Sequence, residues 1–306
     1  MQDVMRKQFY KQRFAFELDA AERDKTQSMP AGVTIEHDVP YMDDGMEAHR
    51  MDIYRPDGSE NTVLPVIINI HGGGLIIGNK EFNRFFCAKL CTLGYLVFSI
   101  EYRLIPDCMV FDQFSDVCNA FNYIQAHLGE YKGDADHIYG VADSGGAYLL
   151  TYTAAMNKCH TLAKSGHVKP HHIQFRALGL ISGMFYTTRF DKIGIFLPAY
   201  LYGKNYKKQS FAKYADPEHP DIVTSLPPCF LVTSQNDNLK KYTLDFEKAL
   251  ARHNMPHEFF CFPRDKRLTH AFSVFRPDYE ESTDTITAMH NYFTKQIQVS
   301  KHAIHN

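Results

Sequence analysis

Ser144 stands in His137-Ile138-Tyr139-Gly140-Val141-Ala142-Asp143-Ser144-Gly145-Gly146-Ala147, where a run of β-formers meets a glycine-rich turn and then a helical stretch. A serine raised on a sharp turn between strand and helix can attack a carbonyl carbon, provided that small neighbours let the two elements approach. The pattern for such a turn is G-x-S-x-G, and the methyl that Ala142 adds at the first glycine is small enough to be tolerated. Taken alone, a serine in such a turn is more often only a turn; the strand before and the helix after it favour a nucleophile. His71-Gly72-Gly73-Gly74 directly follows an apolar strand. Three glycines free backbone N–H groups to point into a site and hold a developing oxyanion. The blander reading is a flexible or phosphate loop, but no Gly-Lys-Ser/Thr follows to support phosphate. Asp237 ends Thr233-Ser234-Gln235-Asn236-Asp237, a position that also suits a helix cap. His270, in Leu268-Thr269-His270-Ala271-Phe272, is one of 16 histidines, most of which belong on a surface.

Positioning such groups takes a rigid frame. Apolar runs predict strands near Val33–Val39, Arg50–Tyr54, Val63–Ile70, Tyr95–Glu101, His137–Val141, Ala177–Ser182, Cys229–Ser234 and Glu258–Phe262. The inner runs are nearly continuous in apolar residues, as in parallel strands buried on both faces. Helical stretches such as Phe82–Leu93, Asp112–Leu128, Ala147–Lys158 and Tyr242–His253 fall between them. The expected fold is therefore α/β, with a mostly parallel eight-stranded sheet and helices on both faces. The turn-rich Met42-Asp43-Asp44-Gly45 joins the first two strands into an antiparallel edge. On a sheet of this kind the chain order serine, acid, histidine singles out Ser144, Asp237 and His270. Residues 1 to about 32 and about 185 to 221 fit the strand pattern badly and are expected to form a helical cap over the strand ends, within one domain spanning 1–306.

The sequence resembles the hormone-sensitive-lipase-like branch of the α/β-hydrolase fold, the bacterial esterases with an HGGG box. The box is His71–Gly74; a YRLaP-like segment is Tyr102-Arg103-Leu104-Ile105-Pro106; the nucleophile turn is Asp143-Ser144-Gly145-Gly146; Leu226-Pro227-Pro228 and Asp237-Asn238-Leu239 precede the H-x-F-like His270-Ala271-Phe272. The resemblance runs from about Thr34 to Phe293, with the five segments in the family order. It implies a serine carboxylesterase with triad Ser144, Asp237 and His270, oxyanion N–H groups on Gly73 and Gly74, joined by Gly145 after the nucleophile, a small ester as substrate, and neither metal nor organic cofactor. Ala142, Lys241 (where a second acid is usual) and Leu75 (where an aromatic is usual) depart from the pattern without removing a catalytic group. Arg103 reads as an anchor of nearby loops. An amidase or peptidase on the same fold, or an inactive small-ligand-binding protein, remain the alternatives.

Bulk properties exclude other classes. With 33 basic and 35 acidic residues, the formal charge of −2 gives no electrostatic case for nucleic acid or an anionic membrane. The longest apolar stretch, Leu64 to Gly78, is broken by Asn69 and His71 and is too short to span a bilayer. The charged start, with Arg6, Lys7, Lys11 and Arg13, does not read as a signal peptide. Seven scattered cysteines suit a reducing, cytoplasmic setting, and Cys87 and Cys91 have no partner pair at metal-site spacing. A homodimer is left open.

Overall fold

A computed structural model, which describes residues 2–303, arranges the chain as the apolar runs predict. The ends of the expected 1–306 unit, Met1 and residues 304–306, lie outside the described residues. Eight strands, β1 (Val33–Pro40), β2 (Arg50–Pro56), β3 (Leu64–Ile70), β4 (Leu96–Ile100), β5 (Gly133–Asp143), β6 (Phe175–Ile181), β7 (Cys229–Ser234) and β8 (His257–Phe262), form one sheet in the order β1-β2-β4-β3-β5-β6-β7-β8. β2 runs antiparallel to β1 and β4; the other neighbouring pairs are parallel. The edge pair slips register between Glu36 and Val39, where Asp38 takes a φ of 58°. Such a bulge twists an edge strand away from pairing with another chain.

The inner strands are buried on both faces. Val66, Ile68 and Ile70 of β3 join one apolar cluster, with Phe114 of α3 (Val110–His127) and Tyr148 of α4 (Ser144–Met156). Ile67, one residue out of phase, joins the opposite cluster, with Phe86 of α2 (Arg84–Cys91) and Phe293 near the chain end. That alternation is the period of two of a pleated strand, and it explains why these strands are apolar without interruption. α4 is buried along its whole length, so it reads as apolar all round rather than amphipathic. Its Thr151 and Thr153 satisfy their hydroxyls by bonding back to the carbonyls of Ala147 and Leu149.

The irregular segments also take shape. A long helix, α1 (Gln2–Asp24), precedes the sheet. α5 (His160–Ser165) follows α4, and between β6 and β7 the chain makes only short pieces, α6 (Lys192–Phe196), α7 (Pro198–Leu201) and α8 (Pro220–Val223), with 3-10 turns between α7 and α8. After β7 come α9 (Lys240–Arg252), β8, α10 (Phe272–Phe275) and α11 (Glu280–Ala303). Among the described residues, no helix is long and apolar enough to cross a membrane.

Candidate active site

Ser144 is the first residue of α4 and directly follows β5, so the strand-to-helix turn has no spare residue. Its φ is 48°, in the left-handed region that a residue with a side chain enters only when its surroundings impose it. The surroundings here are close-packed backbone. A Cβ on Gly146 would lie 2.3 Å from the Ile70 carbonyl oxygen and 2.4 Å from that of His71. Gly146 is therefore needed to bring α4 against the end of β3. Ala142 pairs in register with Ile70 and Leu180 and is almost fully buried there, so the extra methyl is accommodated.

The side chains picked out in the sequence converge here. His270 Nε2 lies 2.8 Å from Ser144 Oγ, and His270 Nδ1 lies 2.8 Å from Asp237 Oδ1. Asp237 is 5% exposed and accepts further bonds from Thr233 Oγ1 at 2.8 Å and from the Leu239 N–H at 2.7 Å. Burial alone would raise the Asp237 pKa, but the hydrogen bond and charge of His270, together with the nearby Ser182 hydroxyl and the Leu239 N–H, hold it below the usual carboxylate value. Asp245 and Asp265, which also follow β7 and β8, are engaged elsewhere, Asp245 with Arg189 and Lys241 and Asp265 with Arg267.

The glycine loop passes beside the serine. A Cβ on Gly145 would sit 2.8 Å from Leu75 N and 3.0 Å from Gly74 N, so those two amides and Gly145 share one small space. Gly73 is not among the three nearest atoms; its φ of 110° closes the turn that brings the Ile76 and Ile77 N–H groups to its own carbonyl. Among the described residues, none accepts a hydrogen bond from the N–H of Gly73, Gly74 or Gly145. Leu75, one of the departures from the family pattern, has a φ of 71° and a fully buried side chain in the main apolar cluster.

The loop rests on charged groups below it. His71 is fully buried and stacks on Tyr102 at 4.3 Å. Its Nδ1 meets the Gly72 carbonyl at 2.8 Å and its Nε2 meets Glu101 Oε1 at 2.8 Å. Burial disfavours a charged imidazole, but Glu101 outweighs it and the His71 pKa is raised. Asp143 Oδ1 accepts from the Gly72 N–H at 3.0 Å and from Asn83 Nδ2 at 2.9 Å, while Oδ2 lies against the Gly72 α-carbon without a partner among the described residues. Burial pushes the Asp143 pKa up, against the pull of Asn83, His71 and His270. Arg103 binds Asp116 of α3 through Nε at 2.9 Å and Nη2 at 2.7 Å and so ties its loop to that helix.

Several supporting residues carry no clear mark in the sequence. Ser182 follows β6, has a φ of 49° and accepts the Ala271 N–H at 3.1 Å, so it holds the histidine loop, and its hydroxyl lies near enough to Asp237 to favour the carboxylate. The Met184 N–H bonds to the Ser144 carbonyl at 2.9 Å. The one sequence signal for Ser182 is a polar residue closing an apolar strand next to the nucleophile strand. The aromatic rings of residues 1–32 and 185–221 divide. Phe185 stacks on Phe246 at 4.1 Å, Tyr186 packs against Tyr242, and Tyr202 bonds to Tyr148 and Thr187, all within the body of the protein. Phe9 meets Tyr200 edge-on at 5.1 Å, joining α1 to α7, whereas Phe14 and Phe196 are exposed. Packing of the segment onto the domain therefore claims most of the buried rings.

A serine on a strand–turn–helix elbow, in line with an imidazole and a buried carboxylate at the C-terminal ends of parallel strands, is the arrangement of a serine hydrolase on the α/β-hydrolase fold. The BD-FAE family model matches residues 51–245, more than half of the chain, and the chain belongs to that family, within the hormone-sensitive-lipase-like esterases. It is 25% identical over 198 residues to a probable isoprenylcysteine alpha-carbonyl methylesterase of Arabidopsis thaliana, covering 62% of this chain and 41% of that protein. It is 23% identical over 271 residues to the versiconal hemiacetal acetate esterase of Dothistroma septosporum, covering 76% of this chain and 78% of that one. The chain thus spans well under half of the plant relative's length. Among solved structures, esterase B from Lactobacillus rhamnosis (HN001) superposes with a TM-score of 0.92 at 22% identity, covering 100% of both chains. That likeness shows the fold.

Proposed function

We propose that the protein is a serine carboxylesterase that hydrolyses small, short-acyl esters through an acyl-enzyme. The observation that carries this reading is the hydrogen-bonded line Ser144–His270–Asp237, 2.8 Å at each step. In the proposed mechanism His270 takes the Ser144 proton as Oγ attacks the ester carbonyl, then hands it to the leaving alcohol. Asp237 orients the imidazole and favours its charged form. The N–H groups of Gly73, Gly74 and Gly145 hold the oxyanion; the closeness of Gly74 to Gly145 supports their part in this most directly. His270 then draws a proton from water as it attacks the acyl carbon, and returns that proton to Ser144 Oγ as the acyl–oxygen bond breaks. The segments 1–32 and 185–221 form the cap over this site.

The short-acyl preference has two supports. The fungal relative is named for an acetate ester, whose acyl part has two carbons. Esterase B has been solved with a C4-C4 tributyrin phosphonate. The test is kcat/KM for p-nitrophenyl esters from acetyl to dodecanoyl. Each methylene that fits should add up to ~0.8 kcal/mol, so the rate rises until the pocket ends. The expected optimum lies at about two to six carbons; an optimum at eight or more contradicts the short pocket, and hydrolysis of anilides in place of esters points to an amidase.

A further inference from the structure

α1 touches the protein along a single stripe, and that stripe crosses the glycine loop. Phe9 packs on Tyr200, Phe16 on Phe82 and Phe275, Ala20 is buried, and Arg23 lies over the Phe275 ring. The spacing 9, 13, 16, 20, 23 is one face of a helix. Arg13, in the middle of it, makes three bonds. Its Nε donates to the Ile76 carbonyl at 2.7 Å, Nη2 to the Ile105 carbonyl at 2.6 Å and Nη1 to Asp107 Oδ2 at 2.8 Å. Asp107 is in turn held by Tyr10 and Arg6 of the same helix.

Ile76 belongs to the turn that displays Gly74. Its N–H, like that of Ile77, closes onto the Gly73 carbonyl. The other ties on the loop attach at different points: Ile105 N–H and Gln113 Nε2 at the Leu75 carbonyl, Tyr102 Oη at the His71 carbonyl, and Asp143 at the Gly72 N–H. Among the described residues, Arg13 alone donates to the Ile76 carbonyl. Arg13 also lines an open cleft of about 750 Å³, with Gly78, Glu101, Tyr102, Leu104 and Asp107 among others. A guanidinium spans two carbonyls and a carboxylate in one planar fork, which a lysine ammonium cannot do.

We propose that Arg13 is a positioning residue for the oxyanion site: it fixes the Gly73–Ile77 turn, and with it the aim of the Gly74 N–H, so that α1 is part of the catalytic apparatus as well as a cover. The proposal rests on the esterase reading given above. Oxyanion donors act on charge that exists only in the transition state, so loosening them lowers kcat and leaves ground-state binding nearly alone. Losing one donor outright costs roughly 10²–10³-fold, and a misplaced donor costs less.

The experiment compares wild type, Arg13→Met, Arg13→Lys and, as a control on the exposed face of α1, Leu18→Ser. Reactive serine is titrated with a fluorophosphonate, and kcat per reactive site, KM and the Kd of a phenylboronic acid, which mimics the tetrahedral adduct, are measured. The expected result for Arg13→Met is a kcat per site about 10- to 100-fold lower, KM within about threefold, and boronate binding weakened in step with kcat/KM. Arg13→Lys should recover little, and Leu18→Ser should match wild type. A helix that merely adds stability would reduce the number of reactive sites without changing kcat per site, and that result overturns the proposal. If Arg13→Met does not fold, Arg13→Lys is judged by the same criterion. A wild type with no ester turnover overturns the esterase reading and the clamp together; turnover with unchanged kcat per site in the arginine variants overturns the clamp alone.

Discussion

Asp237 and Asp265 are both aspartates a few residues beyond a strand, and their surroundings separate them. Asp237 is buried, faces His270 and accepts bonds from Thr233 and Leu239; Asp265 sits in a charged loop and is paired with the exposed Arg267. Asp237→Asn should lower kcat by about 10⁴-fold, since an amide no longer stabilises the imidazolium or selects its tautomer. Asp265→Asn should change kcat by less than about twofold, because an exposed ion pair contributes little. Steady-state kinetics on the two purified variants checks this, and a larger loss from Asp265→Asn would move the acid. Ser144, Asp237 and His270 are legible in the sequence because each ends or follows a recognisable strand and their chain order is diagnostic. Ser182 and Asn83 are not: each is a single polar residue that nears Asp237 or Asp143 only once the fold sets β6 beside β7 and the segment between β3 and α2 beside the end of β5.

At the scale of elements, the nucleophile turn depends on how closely α4 can approach β3. A side chain at Gly146 would run into two backbone oxygens, which cannot swing aside as a side-chain tip can. Gly146→Ala should therefore destabilise the protein by about 1–3 kcal/mol through overpacking and, by shifting Ser144, lower kcat by roughly tenfold or more. Urea unfolding and kcat per titrated serine measure the two effects, and a fully active Gly146→Ala would show that the turn has slack. The buried strands are legible because a short, uninterrupted apolar run bounded by turn residues is the pattern of a strand covered on both faces. The helix after the serine starts at Ser144 rather than at the expected Ala147, since Ser-Gly-Gly is poor helix sequence that the tertiary contacts override. The short helices α6 to α8 are not legible, because four or five residues hold too little of a helical period to stand out.

At the scale of the molecule, the sheet and the glycine loop meet at the C-terminal ends of the strands, with the two irregular segments as the proposed cap. The sheet brings together residues as far apart as Ser144 and His270, α1 reaches the loop through Arg13, and the segment after β6 anchors itself with Phe185, Tyr186 and Tyr202. Which rings face substrate is beyond the sequence, because an aromatic in an irregular segment looks the same whether it packs inward or lines a pocket. The proposed chemistry stands on Ser144 as a nucleophile activated by His270. It is tested most directly by treating wild type and Ser144→Ala with a fluorophosphonate and locating the adduct by peptide mass spectrometry. Stoichiometric labelling of wild type on the peptide containing Ser144, none of Ser144→Ala, and loss of ester turnover in proportion to labelling are expected. A wild type that stays unlabelled while correctly folded, or a Ser144→Ala variant that keeps most of its turnover, would contradict it.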